Sequence, residues 1–341
     1  MAPHTLNTLY FDPHEKKYGS KTTQREVGIR DVLIKTTHSG LCFTDVHAKM
    51  KGCGLGHEGV GIVQDVGAAV INLKSCGHCP TCLSGYRQYC EDARGFAFSD
   101  LDQGAFGDYR IIDAEFAYRI PEAISSVDAG PFMCAGASVY EALDAAGTKP
   151  SDRVGVVGVG GLGHMAILFA KAMGCSVTAL FASKRPSTQK VRDAFTLGAD
   201  EARCIADRID EVYTTPDSSG EAGEGDVLSR ERKINVLLIC SNQLADWFDI
   251  LPLLDRMARV VLMSIQTEPL NIPYMPFILP GHRVISSTEA SKRNHIEMLN
   301  FAARNNIKPW VEKFPMTEQG LADAFDKLEN GQMRYRGVLE W

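Results

Sequence analysis

Four cysteines gathered in one short stretch constrain this chain more than any other feature. They read Cys76-Gly-His-Cys79-Pro-Thr-Cys82, followed by Cys90, a C-x2-C-x2-C-x7-C spacing. Four thiolates so spaced can converge on one tetrahedral ion, and zinc is the metal that this donor set selects. With all four corners filled by protein, such a site staples a loop and has no position open for chemistry. An iron–sulfur cluster is the competing reading, because ferredoxin-type runs also begin C-x2-C-x2-C. Those runs place the fourth ligand as C-x3-C-P, whereas Cys90 comes later and is followed by Glu91. Disulfides are the minority reading. The N-terminus lacks the cationic start and apolar core of a signal peptide, so the expected compartment is the reducing cytosol.

The 341 residues are expected to form two domains of ordinary size. Hydrophobic residues at 45% and charged residues at 23% are the balance of a globular protein with a full core. A net charge of -6, with no dense basic run, argues against a nucleic-acid partner. No apolar run reaches membrane-spanning length, so no membrane association is expected. These exclusions leave a small molecule as the expected partner.

Short strands dominate the first part of the chain: 31–37, 59–66 and 105–112 read as strands, with little helical period up to about residue 130. After Pro131 the pattern alternates. Residues 138–146 read as a helix, 153–157 as a strand, 162–173 as a helix, 176–181 as a strand and 188–197 as a helix. Further buried strands are expected at 234–239 and 259–263. Apolar strands alternating with helices imply a doubly wound parallel α/β sheet covered on both faces. The Gly-, Ser-, Asp- and Glu-rich stretch 214–232 reads as a solvated loop. Beyond it, 295–305 and 318–330 read as amphipathic helices and 336–339 as a returning strand.

The run Gly158-Val-Gly160-Gly161-Leu162-Gly163 lies between an expected strand and an expected helix. In that setting the first glycine permits the tight turn and the second lets backbone approach a pyrophosphate. The third brings helix and strand close, and the helix N-terminus faces the phosphates. Cofactor choice is read about 20 residues on, where an acid would hold the ribose hydroxyl of NAD. Here stand Ser183, Lys184 and Arg185 and no acid. A hydroxyl and two cations suit a 2′-phosphate, so NADP(H) is the expected cofactor.

A second, more dispersed set of potential metal ligands lies upstream, in Gly40-Leu-Cys42-Phe-Thr44-Asp45-Val-His47 and Gly56-His57-Glu58-Gly59. With Cys134 in Pro131-Phe-Met-Cys134-Ala-Gly, the four-cysteine lobe, the glycine fingerprint and the end Arg334-Tyr335-Arg336-Gly-Val-Leu, the chain resembles the zinc-containing medium-chain alcohol dehydrogenases over nearly its whole length. Within them it is similar to the cinnamyl-alcohol-dehydrogenase-like branch, in its fungal form. The resemblance implies a β-rich, GroES-like catalytic domain in two pieces, 1–147 and 289–341, with a structural zinc lobe at about 75–92. A Rossmann domain at 148–288 would bind the cofactor. It implies two zinc ions per chain. Cys42, His57 and Cys134 would bind the catalytic one, with Glu58 beside them as an exchangeable ligand, and Cys76, Cys79, Cys82 and Cys90 the structural one. Thr44 would take the alcohol proton and pass it toward His47, and Asp45 would orient His57. The implied activity is hydride transfer between NADP(H) and a primary alcohol or aldehyde, in a homodimer, with a place in secondary metabolism.

Other residues have plainer readings. Cys53, Cys175, Cys204 and Cys240 read as small apolar residues, and His164 as a helix-start residue outside the chemistry. Phe43, Phe98, Met133 and Ile265 read first as core and second as pocket walls. One departure from the resemblance stands out. Asn72-Leu73-Lys74 runs straight into Ser75-Cys76, where relatives carry a Gly-Asp-Arg-Val segment, so a strand of the catalytic domain is expected to be missing. Two alternative functions follow: an NADPH-dependent reductase of an activated carbon–carbon double bond, and an NADPH-binding protein whose catalysis is impaired by that loss.

Overall fold

Among the described residues, strand-forming runs set up three sheets: a two-stranded hairpin, a five-stranded sheet and an eight-stranded sheet. The computed structural model describes residues 3–66, 75–182, 186–205, 212–213, 224–225, 233–242, 246–266 and 268–341. They fall into two compact units, Met1–Ala137 with Glu289–Trp341, and Ser138–Thr288.

The first unit begins with an antiparallel hairpin, β1 (His4–Asp12) and β2 (Lys17–Arg25). The Asp12 carboxylate accepts from the amides of His14 and Glu15 and so closes the turn. Next comes β3 (Asp31–Leu41), the organising strand: α1 (Phe43–Lys49) leaves its end directly, and β4 (Glu58–Val66) and β5 (Tyr109–Asp113) both pair antiparallel with it. Between β4 and β5 lie the cysteine lobe and the short helix α2 (Pro80–Leu83). Helix α3 (Ser126–Pro131) is capped by Ser125 and runs into a wide turn over 132–136.

The second unit opens with α4 (Ala137–Ala145). It continues as β6 (Arg153–Val157), α5 (Gly163–Ala172), β7 (Ser176–Phe181), α6 (Thr188–Thr196), β8 (Glu201–Cys204), β9 (Val212–Tyr213) and β10 (Glu224–Gly225). It closes with β11 (Ile234–Ile239), α7 (Trp247–Ile250), β12 (Leu254–Leu262), α8 (Tyr274–Ile278) and β13 (Arg283–Ser286). The strands β8-β7-β6-β11-β12-β13 run parallel in that order, with β9 and β10 added antiparallel at one edge. This is the three-two-one-four-five-six order of a doubly wound dinucleotide fold, whose order reverses between β6 and β11. The burial pattern explains the run-like sequences: four of five residues in β6 and five of six in β7 are buried, because helices cover both faces.

The chain then returns to the first unit through α9 (Lys292–Arg304), β14 (Val311–Pro315), α10 (Glu318–Glu329) and β15 (Arg336–Glu340). β15 lies antiparallel to β3 and parallel to β14, so the C-terminal strand is sealed into the sheet that begins near the N-terminus. Leu41, Leu55, Phe106, Leu321, Phe325 and Leu339 fill the core between this sheet and α10.

Some expectations shift. The strand expected at 105–112 begins only at Tyr109, because Gly107 bridges to Thr8 of the hairpin instead. Phe98 and Ile265 are 83% and 61% exposed, and Phe43 is also exposed, so none of these three is core as expected. Lys51 lies over the Phe98 ring, which gives that face a partner other than packing. The units divide at Ala137/Ser138 rather than 147/148, since α4 packs with the second unit, Tyr140 against Phe169. The missing-strand position and most of the 214–232 loop fall outside the described residues. Among the described residues, no helix is long and apolar enough to cross a membrane.

Phe325 is 1% exposed at the centre of the first unit's core. Phe325→Ala is expected to cost about 3–5 kcal/mol of stability. Urea unfolding checks this, as a lowered midpoint with an unchanged slope.

Candidate metal centre and nucleotide turn

The end of β3 delivers Cys42 to the start of α1, and the two elements share the work of aiming it. Cys42 is the N-cap of α1, in extended conformation, and its Sγ accepts from the Thr44 amide at 3.3 Å. Asp45, fully buried, completes a capping box by accepting from the Cys42 amide at 3.1 Å. Its other oxygen accepts from the Gly56 amide at 3.0 Å and lies 3.2 Å from His57 Nδ1. That contact turns the far ring nitrogen, Nε2, to 3.4 Å from Cys42 Sγ. Phe96 stacks on the other side of the ring, centroids 4.9 Å apart. Gly56 must be glycine: its φ is +89°, and a Cβ would lie 2.5 Å from the Phe106 nitrogen.

β4 starts at Glu58, beside His57, and the carboxylate points to the same place. Glu58 Oε1 is 3.8 Å from His57 Nε2 and 3.1 Å from Arg336 Nη1. Glu58 Oε2 is buried with no hydrogen-bond partner. Cys134 comes from the wide turn that follows α3. One donor atom from each of Cys42, His57, Glu58 and Cys134 lies within 4.8 Å of the others.

Protonation in this cluster is strained in a telling way. The hydrogen bond between the two thiols lowers Cys42, which burial opposes and His57 assists; the same bond raises Cys134. Burial alone would lower His57, but Asp45 and Cys42 outweigh it and raise the imidazole. Burial pushes Glu58 up to about 8 despite Arg336. Four clustered donors, Cys42 and Glu58 of them buried, thus compete for protons that a divalent cation would displace. Two thiols, an imidazole and a carboxylate oxygen without a protein partner fit a zinc ion.

The second cluster is local. Cys79 caps α2, with Pro80 in the first helical position. The Cys79 amide donates to Cys76 Sγ at 3.2 Å, the Cys82 amide to Cys79 Sγ at 3.4 Å and the Cys76 amide to Cys90 Sγ at 3.4 Å. Sγ···Sγ distances are 3.9 Å for Cys76–Cys82 and 4.0 Å for Cys79–Cys90. Zinc bound to four thiolates sets such edges at about 3.8 Å. Backbone donors from His78 and Cys79 lower Cys76 to about 6, which readies it as a thiolate. All ten cysteines are free thiols, and Cys53, Cys175, Cys204 and Cys240 are buried outside both clusters.

In the other unit β6 runs into the glycine turn, where the three fingerprint glycines have three separate reasons to be there. Gly158 has φ +88°, and a Cβ would press on Ser241 at 3.0 Å. A Cβ on Gly163 would sit 1.8 Å from the Gly158 carbonyl oxygen, so only glycine brings α5 this close to β6. Gly160 has nothing within 4 Å of its Cβ position: the backbone is bare there, as a pyrophosphate requires. Gly161 and Leu162 complete the turn into α5. His164 is buried in the first turn of α5, with Nδ1 3.1 Å from the Gly160 carbonyl. Ser183, Lys184 and Arg185 lie outside the described residues.

Thr44 is half-buried and His47 exposed, three residues apart on α1, so they are neighbours on one helix face. Sequence reasoning missed the Arg336–Glu58 pair, whose partners are 278 residues apart in the chain. It also missed the stack of Tyr118 on His295, centroids 4.5 Å apart, and the Arg87 guanidinium that donates to the Tyr118 hydroxyl at 2.6 Å.

Comparison with known proteins places these features in context. Residues 28–122 match the alcohol dehydrogenase GroES-like domain. The chain is 30% identical to cinnamyl alcohol dehydrogenase 8 of Arabidopsis thaliana, over 93% of this chain and 90% of that protein. It is 29% identical to an alcohol dehydrogenase of Geobacillus stearothermophilus, over 92% of this chain and 93% of that protein. The structure of a cinnamyl alcohol dehydrogenase from Sorghum bicolor matches with TM-score 0.81 at 27% identity, covering 99% of this chain and 98% of that one.

Metal content tests both clusters. The native protein is expected to carry about two zinc ions per chain, and Cys42→Ser and Cys90→Ser about one each. Asp45→Asn, which spares every ligand, is expected to weaken zinc binding at the first cluster about 10–100-fold. Competition with a chromogenic chelator measures that loss.

Proposed function

Since this chain belongs to the zinc-containing medium-chain alcohol dehydrogenases, in their cinnamyl-alcohol-dehydrogenase-like group, we propose that it is an NADP(H)- and zinc-dependent reductase of aldehydes and dehydrogenase of the matching primary alcohols. The broader statement is secure from its relatives: it is an oxidoreductase of alcohols or aldehydes that uses a pyridine nucleotide. The observation that carries the finer proposal is the convergence of Cys42, His57, Glu58 and Cys134 within 4.8 Å.

In this proposal Cys42, His57 and Cys134 hold zinc, with Glu58 as the donor that gives way to substrate. Bound there, zinc would supply Lewis acidity to the substrate oxygen. Each side chain then has a task of its own. Asp45 keeps the His57 ring turned so that Nε2 faces the thiols. Arg336 holds Glu58 by one oxygen and leaves the other available. The Thr44 hydroxyl accepts the proton of an alcohol, and His47, exposed on the same helix face, returns it to solvent. In the reverse direction the same groups deliver that proton to the reduced carbonyl. The bare backbone at Gly160 would receive the cofactor pyrophosphate, and the bound nicotinamide would supply the hydride chemistry. Ser183, Lys184 and Arg185 support the choice of NADP(H) over NAD(H) by their chemistry. The complete four-donor set weighs against the alternative of double-bond reduction, which has no use for it.

The test is NADPH oxidation over a panel of aldehydes, with zinc measured on the same sample. Turnover is expected, and it is expected to vanish when the first-cluster zinc is stripped and to return when zinc is restored. The double variant Lys184→Ala, Arg185→Ala is expected to raise KM for NADPH about tenfold or more and leave NADH use unchanged. Turnover that persists without zinc would make the double-bond reductase the correct assignment. NADPH binding without any turnover would mark the chain as catalytically impaired.

A further inference from the structure

Three of the four donors at the candidate metal centre have a partner that aims them: the Thr44 amide for Cys42, Asp45 for His57 and Arg336 for Glu58. Cys134 is carried instead by the wide turn over 132–136, so its thiol lies wherever that turn is held. The turn is wider than an α-helix, since the Ala137 amide reaches back five residues to the Phe132 carbonyl. This register is rare and gathers at functional sites.

Helix α9 holds the turn. His295 and Met298, three residues apart, share the helix face that meets it. Met298 Sδ lies 3.4 Å from where a Gly136 Cβ would be, so the missing side chain lets the helix approach. His295 Nε2 lies 3.4 Å from the carbonyl oxygen of Met133, the residue before Cys134. Nδ1 of the same ring lies 3.3 Å from the Ser291 carbonyl, one turn back. Tyr118 stacks flat on the imidazole, centroids 4.5 Å apart and planes 3° from parallel. The phenol is fixed in turn by Arg87, whose Nη2 donates to the Tyr118 hydroxyl at 2.6 Å and to the Glu115 carbonyl at 2.7 Å. The guanidinium carbon also lies 3.9 Å from the Phe116 ring centroid. Arg87 is 9% exposed and belongs to the cysteine lobe, where its carbonyl accepts from the Cys90 amide at 3.1 Å.

We infer that His295 is a positioning residue for the zinc ligand Cys134: it donates from Nε2 to the Met133 carbonyl and so fixes the turn that presents the thiol, while the Arg87–Tyr118 pair holds the imidazole in that orientation. An unbroken series of polar and ring contacts thereby runs from the cysteine lobe to the other cluster. Its links are not needed to build the elements they join. α9 has its own cap in Ser291 and α2 has its own in Cys79. A ring clamped on its face also loses little further freedom when it donates, which makes the bond to Met133 more effective than one from a mobile side chain. This inference rests on the reading of Cys42, His57, Glu58 and Cys134 as a zinc site.

Two substitutions separate the donor from the ring. His295→Phe keeps a flat ring against Tyr118 and removes the donor, whereas His295→Gln keeps an amide donor of similar reach. Zinc affinity at the first cluster is measured by chelator competition, the lobe zinc being the fraction that Cys42→Ser retains. That affinity is expected to fall about fivefold in His295→Phe and to stay near the native value in His295→Gln. With the zinc-loaded protein, kcat for aldehyde reduction is expected to follow the same order while KM for NADPH stays unchanged, a split that general loosening of the fold would not give. Tyr118→Phe deletes only the hydroxyl that Arg87 grips. It is expected to move affinity in the same direction by a smaller factor, and it carries the test if His295→Phe does not fold. Equal affinity and kcat in the native, His295→Phe and Tyr118→Phe proteins overturn the role of His295 and leave the dehydrogenase reading standing. Equal losses in His295→Phe and His295→Gln also overturn it, since the donor then makes no difference. A native protein that takes up zinc at the lobe alone overturns the zinc-site reading and this inference together.

Discussion

The candidate metal centre of the first unit depends on one buried carboxylate. Asp45 closes the cap of α1, fastens the Gly56 amide and orients His57, so a single side chain joins the strand that delivers Cys42 to the segment that delivers His57 and Glu58. Each bond is charge-assisted and shielded from water, where such bonds are strongest. Take the carboxylate away and the helix start, the tight Gly56 turn and the imidazole would each need a new partner. None is available in a pocket where Asp45 is fully buried.

The two units solve different problems with glycine and charge. In the nucleotide turn the chain uses absence: no side chain at Gly160, and none possible at Gly163. At the metal centre it uses excess, more donor atoms than there are protons to satisfy them. The ion pair of Glu58 with Arg336 belongs to this second strategy. It is buried, so its value lies less in stability than in holding one carboxylate oxygen still while the other stays free. The C-terminal strand supplies Arg336, which explains why β15 returns to pair with β3 beside the centre.

Much of the architecture was legible in the sequence where burial is extreme. β6, β7 and β11 occupy the residues that their largely apolar runs mark out, because a sheet covered on both faces leaves few polar positions to blur the ends. The donor residues were legible for a related reason: thiols and imidazoles at these spacings have few other uses. The hairpin of β1 and β2 was not. Lys17–Arg25 contains one aromatic and no aliphatic residue, so β2 shows no alternating apolar face in sequence, although Tyr18 packs against Phe325. Phe98 and Ile265 were misread because an apolar side chain carries no mark of whether anything covers it. Arg336 escaped notice because its meaning comes from Glu58, a neighbour remote in the chain.

The two thiol clusters differ in how far the chain must travel to build them. The lobe closes within a single loop between Cys76 and Cys90, whereas the other centre waits for the end of β3, the start of β4 and the turn after α3 to meet. Closing a short loop costs little entropy, and a metal that binds there is repaid at once. On the proposed assignment the lobe would be a self-contained module, able to take up its ion during synthesis while the rest of the chain is still unformed. The deeper cluster would be filled only by a finished fold, so its occupancy would certify that the sheet around it has been correctly assembled.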